Sequence, residues 1–446
     1  PSGSSMKKLL HKMLPHRGKD QAKKGDPDVL PVLDDPRVRP LTPTPSNHEL
    51  TQSSIEAASG SPFFQKLPSE IRTRILTEAF GARTVHMDLW QDHPDVEIPK
   101  NDKSSHGPHV HGRGRVYTAG RPGYNYLLRD QQEPKQWIWQ GSVCHRNAPE
   151  PYKKFWTELE PSEDFCRYGG LGDTELGDIC EMWHAKDDEP SCNIGAMGWL
   201  LSCRQAYKEG IEVLYSTNTI HSASKLMLLN LDKLLLPQRL SNIKSLELIW
   251  TFDPYLGDCE PTREPCRDSE SFDKFLEALP VFFPGVQHLH VAIQGEIFPG
   301  ERKASGGWGF MKNTTKAIEV VFEKDIMIPF DQMVHRLGPG VRQVTLACSS
   351  FLYGGARGVA LENNPDHVQQ VHLGAKKERF WRPFVGGRGR NNHLGGYWVQ
   401  LGQRDAKPVH LHIISRFGFP SSGPMTPPEK AVLASPASLW YADMRR

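Results

Sequence analysis

The sequence has no hydrophobic run long enough to cross a membrane. A transmembrane helix needs about 20 consecutive, mostly apolar residues, and the richest stretch, residues 226–236, is interrupted by Asn230, Asp232 and Lys233. An excess of one charge is also missing, since 54 Lys and Arg residues stand against 52 Asp and Glu residues. This balance argues against a whole-molecule electrostatic nucleic-acid binder. We therefore expect no membrane association, and nucleic-acid binding is disfavoured.

The motifs of several enzyme classes are also missing. The chain has no G-x-S-x-G nucleophile elbow, no G-x-x-x-x-G-K-[ST] phosphate loop and no strand-linked G-x-G-x-x-G. Its eight cysteines include no C-x-x-C pair, the usual half of a structural zinc site. No secretory signal is visible, so we expect an intracellular protein, in cytoplasm or nucleus, with reduced cysteines. These observations predict a protein that is not an enzyme, with no catalytic residue, metal or cofactor.

Aromatic residues are missing from the beginning of the chain. Residues 1–60 contain eight Pro and no Phe, Trp or Tyr, so they cannot bury enough apolar surface to offset the entropy lost on ordering. We predict a disordered tail there, and a second, mostly disordered tail over residues 416–446, where Pro is again frequent. Between them, residues 61–415 are predicted to form a single globular domain of the α+β or α/β class.

Two amphipathic helices are predicted in the first half of this domain. The first lies in FFQKLPSEIRTRILTEAFG, where apolar residues recur every four positions, namely Phe63, Leu67, Ile71, Ile75 and Ala79. This stripe is broadened by Phe64, Leu76 and Phe80. The second lies in GWLLSCRQAYKEGIEVLYSTN. An insert, residues 82–194, separates them and holds five of the eleven Trp, which indicates that part of it packs on the core. Within it, residues 136–140 alternate as a strand does, and residues 101–123 have the composition of an exposed loop.

A strand pattern recurs in the second half. A six-residue pattern with apolar residues at its first, fourth and sixth positions begins at Ile243, Val286, Val341 and Val368. Helix-like stretches lie in the first two gaps, at residues 271–279 and 329–337, so the pattern predicts a parallel sheet with helical crossovers. The pattern is similar to the strand of a leucine-rich repeat, although its period is irregular. Separate strands of an ordinary α/β or α+β domain are the alternative.

The two helical segments together resemble an uncharacterised fungal F-box-like family. LPSEIRTRIL resembles the first helix of F-box motifs, and LLSCRQAYKEGIEVLYSTN resembles the second block of that family. Shorter blocks in the insert are also similar to it, namely Gly141-Ser142-Val143-Cys144-His145-Arg146, Asp164-Phe165-Cys166-Arg167 and Gly195-Ala196-Met197-Gly198-Trp199. The resemblance implies that a Skp-type adaptor of a ubiquitin ligase binds the residues matching the motif, which are Leu67, Pro68, Ile71 and Ile75. Because more than a hundred residues separate the two halves, packing of this helix on the second one is the alternative.

The expected function is that of a non-enzymatic protein-interaction module, as a substrate-recruiting adaptor with a protein partner. The alternative is a metal-binding or thiol-dependent enzyme built on the insert, centred on Cys144, His145 and Cys166. Weaker candidates are a metal site in the H-x-x-H-x-H sequence of residues 106–111, and nucleic-acid contacts by the basic tail and residues 386–390.

Overall fold

The computed structural model describes residues 29–33, 60–96, 118–121, 124–146, 160–164, 192–252, 268–295, 322–363, 368–369, 378–384, 393–402 and 432–433. Helices and strands both contribute, so the predicted mixture of α and β structure is confirmed. Within these residues, every helix is too short or too polar to cross a lipid bilayer.

The helices cover the two predicted amphipathic segments and the crossovers of the second half. They are α1 (Pro62–Lys66), α2 (Ser69–Phe80), α3 (Met197–Leu200), α4 (Arg204–Ser216), α5 (Lys225–Leu229), α6 (Leu231–Leu234), α7 (Pro237–Leu240), α8 (Ser269–Phe282), α9 (Ile328–Arg336) and α10 (Ser350–Asn363). A π-helical turn, Glu323–Met327, leads directly into α9, and a short 3₁₀ turn spans Pro161–Glu163.

The strands are β1 (Thr84–Asp92), β2 (Thr118–Arg121), β3 (Tyr124–Arg129), β4 (Gln136–Val143), β5 (Thr219–Ser222), β6 (Ser245–Phe252), β7 (His288–Gly295), β8 (Gln343–Cys348), β9 (Val368–Gln369), β10 (Arg379–Pro383), β11 (Gly396–Leu401) and β12 (Val432–Leu433). Nine of them form one sheet in the order β4-β1-β5-β6-β7-β8-β11-β10-β9, and the other three form a small sheet. The six strands from β1 to β11 in this order are parallel, and the adjoining β4 and β10 are antiparallel to their neighbours.

One face of the main sheet is apolar and covered by helices. The recurring apolar positions of the strand pattern point to it. In the first copy of the pattern, Ile243 just before β6 and Leu246 and Leu248 within it are all buried. Against them pack α8 and α9, where Trp250 of β6 stacks on Phe275 of α8 with ring centroids 4.8 Å apart. Both helices lie where the sequence predicted them, because four-residue apolar spacing places their apolar side chains on the sheet.

The two amphipathic helices meet although their sequences are distant. Phe63 and Phe64 of α1 contact Trp199 of α3, and Leu76 and Phe80 of α2 join a buried cluster with residues of α3 and α4. We call α1–α4 the helical unit. Within the broad predicted stripe, Leu76 and Phe80 are buried while Ile71, Ile75 and Ala79 are exposed. The first helix therefore packs on the second, as the alternative expected, but through Leu76 and Phe80 and not through Ile71, Ile75 and Ala79.

A single buried side chain joins the helical unit to the sheet. Asn218 lies between α4 and β5, and its amide donates hydrogen bonds to the carbonyl oxygens of Phe80 and Leu214. Its Oδ1 accepts from the backbone N–H of Arg83, immediately before β1. The end of α2, the end of α4 and the beginning of β1 are thus held by one residue.

The structure corrects several predicted boundaries. Residues 82–194 are not simply an insert beside the domain, since β1 and β4 within it belong to the main sheet. Residues 118–121 of the predicted loop form β2. The other residues of that loop, 101–117 and 122–123, lie outside the described residues. The pattern beginning at Val368 does not give the next parallel strand, because β11 lies beside β8 and β9 lies at the edge.

The predicted tails lie largely outside the described residues. In the first, residues 29–33 are described, and the N–H of Leu33 donates to the carbonyl of Lys233 in α6 while Leu30 packs on the core. In the second, β12 pairs with β3.

Candidate functional site

The residues predicted to bind an adaptor lie at the beginning and on the outer side of α2. Pro68 precedes the helix and is exposed, and Leu67 is half-buried. Ile71 and Ile75 are 45% and 42% exposed, although both are large apolar residues. Since residues four apart share one side of a helix, these two form a small apolar strip on the surface.

A paired charge holds α2 against α4. The guanidinium of Arg72 donates to both carboxylate oxygens of Glu209, at 2.9 and 2.6 Å, and also to the carbonyl of Leu67 at 2.6 Å. Burial acts to raise the pKa of Glu209, but hydrogen bonds from Arg72 and Gln205 outweigh it and lower the pKa. Bidentate pairs of this kind fix orientation as well as adding energy, so the strip on α2 keeps a defined position.

Polar residues form a second unusual region, on the face of the sheet opposite the helices. The third residue of five adjacent parallel strands is polar and points to that face, and the residues are His86, His221, Glu247, His290 and Thr345. His86 and His221 are completely buried, with their rings in edge contact at 5.0 Å. Parallel strands covered on both faces are usually apolar throughout, so this row is a departure that needs a chemical explanation.

Three residues from the insert cover this row. Arg146 donates to both oxygens of Glu247 at 2.8 Å and to Asp164 Oδ2 at 3.2 Å. The Cys144 thiol donates to the same Asp164 oxygen at 3.0 Å. We call the six residues His86, Cys144, Arg146, Asp164, His221 and Glu247 the histidine–carboxylate cluster.

The charges of the cluster keep its two carboxylates ionised. Burial alone would raise the pKa of Asp164, but positive charge on His86, His221 and Arg146 brings the pKa well below its usual range. For Glu247, burial is outweighed by the hydrogen bond from His221 and by Arg146, which lower the pKa to about 2. Burial would lower the pKa of Arg146, and the charges of Glu247, Cys144 and Asp164 raise it instead.

The cluster contains side chains that commonly bind metal ions, but it is too deeply buried for a substrate to reach. Ligand atoms of His86, Asp164 and His221 lie within 4.8 Å of one another. Asp164 is 3% exposed and both histidines are 0% exposed, so a bulky substrate cannot reach them. Cys144 and Glu247 are half-buried.

The structure brings together only part of the predicted Cys/His site. Cys144 joins the cluster, whereas the neighbouring His145 is buried nearby without belonging to it, and Cys166 lies outside the described residues. Residues 106–111 and 386–390 also lie outside them. Sequence reasoning missed His86, Asp164, His221 and Glu247. The available signal was an ionisable residue alternating with apolar ones inside predicted strands, as in Leu246-Glu247-Leu248.

The comparisons with known proteins are consistent with an uncharacterised family. Neither the search of curated proteins nor that of solved structures finds a match. The model of one family, described as a domain of unknown function (DUF7730), matches residues 157–346. That segment includes Asp164, His221 and Glu247 as well as α3–α9, whereas His86 and Cys144 precede it. The chain is therefore similar to this family from α3 and α4 of the helical unit through β5, β6, β7 and most of β8, but not in α1 and α2.

Proposed function

We propose that the protein is a non-enzymatic, F-box-like interaction protein that binds a Skp-type ubiquitin-ligase adaptor through the outer side of α2. In this proposal it acts in the cytoplasm or nucleus, and the strand-rich half presents a second protein for ubiquitin transfer. The fungal F-box-like resemblance supplies the identity of the partner.

The exposure of Ile71 and Ile75 is the observation that carries the proposal. Both belong to LPSEIRTRIL, the segment that resembles the first helix of an F-box, and both are more than 40% exposed. The core of the helical unit is supplied instead by Leu76, Phe80 and Val213. An apolar pair that the fold does not use, held on a rigid helix, is the type of surface that a partner's apolar groove buries.

Two further features support the proposal. The two segments that resemble F-box blocks pack against each other in spite of their separation, as a compact helical module requires. The strands β5–β8 follow one another in order across the sheet with their apolar pattern facing the helices, as strands of a leucine-rich repeat do. A scaffold of this kind offers an extended surface for a second protein.

Direct binding of the purified full chain to a purified Skp-type adaptor tests the proposal. We expect a complex in titration calorimetry, and we expect Ile71→Asp combined with Ile75→Asp to weaken it at least about 10-fold, because each charge must be desolvated in the interface. Thr73→Asp is the matched control, since it adds the same charge to an exposed position on another side of α2 and should leave binding unchanged.

Two results would count against adaptor binding. One is the absence of a complex between the wild-type chain and the adaptor at tens of micromolar, a range that includes weak interfaces. The other is an equal loss of binding in the Thr73 variant and in the double isoleucine variant. Thermal melts of all variants would show whether a loss reflects unfolding, because both isoleucines are exposed and their substitution should leave the melting temperature almost unchanged.

A further inference from the structure

Three atoms that can bind a metal converge inside the histidine–carboxylate cluster. One atom each from His86, His221 and Asp164 lies within 4.8 Å of the other two, and both imidazole rings are completely buried. Burying polar groups is costly unless they are paired or coordinated. This convergence points to a bound cation.

The hydrogen bonding of His221 favours a metal ion. Its Nδ1 lies 3.1 Å from Oε2 of Glu247, and since an ionised carboxylate can only accept, Nδ1 carries the proton and donates it. In the neutral ring, Nε2 then carries a lone pair. This atom is buried, has no hydrogen-bond partner among the described residues, and faces Asp164. A histidine held by a carboxylate through one nitrogen, with the other nitrogen left for coordination, is the usual second-shell arrangement of metal ligands.

The distances in the cluster fit coordination better than hydrogen bonding. Asp164 Oδ2 lies 3.7 Å from His86 Nε2 and 3.9 Å from His221 Nε2, and both distances are too long for hydrogen bonds. Two tetrahedral ligands that are each about 2.0–2.2 Å from a zinc ion lie roughly 3.3–3.6 Å apart. Side-chain shifts of a few tenths of an ångström would therefore close the three ligand atoms around one ion.

We propose that His86, His221 and Asp164 bind one Zn²⁺ ion, with the thiolate of Cys144 as the fourth ligand. Two imidazoles, one carboxylate and one thiolate form a donor set that suits zinc. The Cys144 Sγ lies 3.0 Å from Asp164 Oδ2 but outside the group of ligand atoms that lie within 4.8 Å of one another, so this side chain turns towards the histidines when the ion binds. Loss of the thiol proton on binding also balances the charge, because the cluster with a thiolate and a divalent ion is neutral.

The role of this ion is structural. It ties β1 and β5 of the sheet to the two covering segments around Cys144 and Asp164, which are distant in sequence. With four protein ligands and buried surroundings, it has no open coordination position at which a substrate could react. Zinc therefore stabilises the attachment of the insert without making the protein a metalloenzyme.

The first test is a zinc titration of the purified full chain after removal of metal by a chelator. We expect one zinc ion per chain by elemental analysis after dialysis, and a melting temperature that rises with added Zn²⁺, because a ligand that binds only the folded state stabilises it. A chain that retains no zinc and melts at the same temperature with and without Zn²⁺ would overturn the proposal.

A variant of His221 and a control variant of His288 test whether His221 is a zinc ligand. We expect His221→Gln to weaken zinc binding by at least about 100-fold, since loss of a second-shell partner alone costs 10–100-fold. The matched control is His288→Gln, which changes an exposed histidine in the first position of β7 and should bind zinc as the wild type does. Equal zinc affinity in the wild type and both variants would exclude this site.

Cobalt substitution in the wild-type chain gives a reading that does not depend on the folding of a variant. With Co²⁺ in place of Zn²⁺, we expect the visible spectrum of a tetrahedral site and a near-ultraviolet charge-transfer band from the Cys144 sulfur. Cys144→Ser should remove that band. Its presence in the serine variant would exclude Cys144 as a ligand, and a spectrum of hexa-aquo cobalt in the wild type would refute the whole site.

Discussion

The two faces of the main sheet come from the same strands and have opposite chemistry. On the helix-covered face, alternate residues of β6–β8 are Leu, Ile, Val, Trp, Phe and Cys, packed in one continuous apolar core. On the other face the alternate residues are the polar row and a small apolar group, Ala223, Ile249, Ala292 and Ala347. The same strands therefore supply an apolar core on one face and, on the other, a buried polar network that requires particular side chains. Apolar packing tolerates exchange of similar side chains, whereas a buried polar network needs each of its partners in place.

The largest expected effect is on the apolar face, from Phe272→Ala. Phe272 of α8 is completely buried, and its ring centroid lies 5.2 Å from that of Phe252 and 5.6 Å from that of Trp250. We expect a loss of about 3–5 kcal/mol in the free energy of unfolding, because the substitution removes apolar contact and leaves a cavity. Urea denaturation measures it. Val281→Ala, at a position 73% exposed on the same helix, should change it by less than about 0.5 kcal/mol.

A smaller effect is expected on the polar face, from Asp88→Ala. Asp88 Oδ1 accepts hydrogen bonds from the N–H groups of Ala223 and Ser224 and from the hydroxyl of Ser222. We expect a loss of about 1–3 kcal/mol, since the alanine variant leaves buried donors without this acceptor. Asp88→Asn retains an oxygen at the same place and should keep most of the stability. If the asparagine variant is as unstable as the alanine variant, the charge of Asp88 and not its hydrogen bonding is what the polar face requires.

The smallest effect concerns the acid sensitivity of the polar row, tested with His290→Gln. Burial lowers the pKa of His290 from an ordinary value of 6.5 to about 4, despite the neighbouring negative charges. Between these two values the unfolded chain takes up a proton that the folded chain does not, so stability falls as the pH falls from about 6.5 towards 4. We expect the glutamine variant to lose about 1–2 kcal/mol less than the wild type between pH 7 and pH 5.

Urea denaturation at the two pH values measures this difference, and His288→Gln serves as the exposed control. Because the lowered pKa values of Asp164 and Glu247 also make the wild type less stable in acid, only the difference between wild type and variant reports on His290. An identical pH dependence in both chains would contradict a neutral, buried His290.

The apolar face was largely predictable from the sequence. The strands beginning near Ile243, Val286 and Val341 and the helices between them follow from local periodicity, because each element buries its own apolar stripe against the next. Which side of the broad stripe on α2 is buried was not predictable in the same way. The predicted stripe included both Ile71 and Leu76, and only contacts with distant residues of α3 and α4, among them the pairing of Arg72 with Glu209, show that Leu76 and Phe80 face inward.

The polar face could not be assembled from local patterns. The row of parallel strands ends at β1, which lies between β4 and β5. Its sequence, Thr84-Val-His-Met-Asp-Leu-Trp-Gln-Asp92, mixes polar and apolar residues inside the predicted insert. The local sequence around each member of the histidine–carboxylate cluster does not show which other residues it will meet. Only the register of the strands places His86 beside His221 and His221 beside Glu247, and register between strands far apart in the chain depends on the whole fold.

Asn218 fixes the orientation of the helical unit on the sheet. Its amide group bonds the carbonyl oxygens of Phe80 and Leu214 and the backbone N–H of Arg83, so α2, α4 and β1 meet at one buried point. In the proposed complex with an adaptor on α2, a second protein on the strand-rich half would consequently lie at a fixed distance and direction from that adaptor.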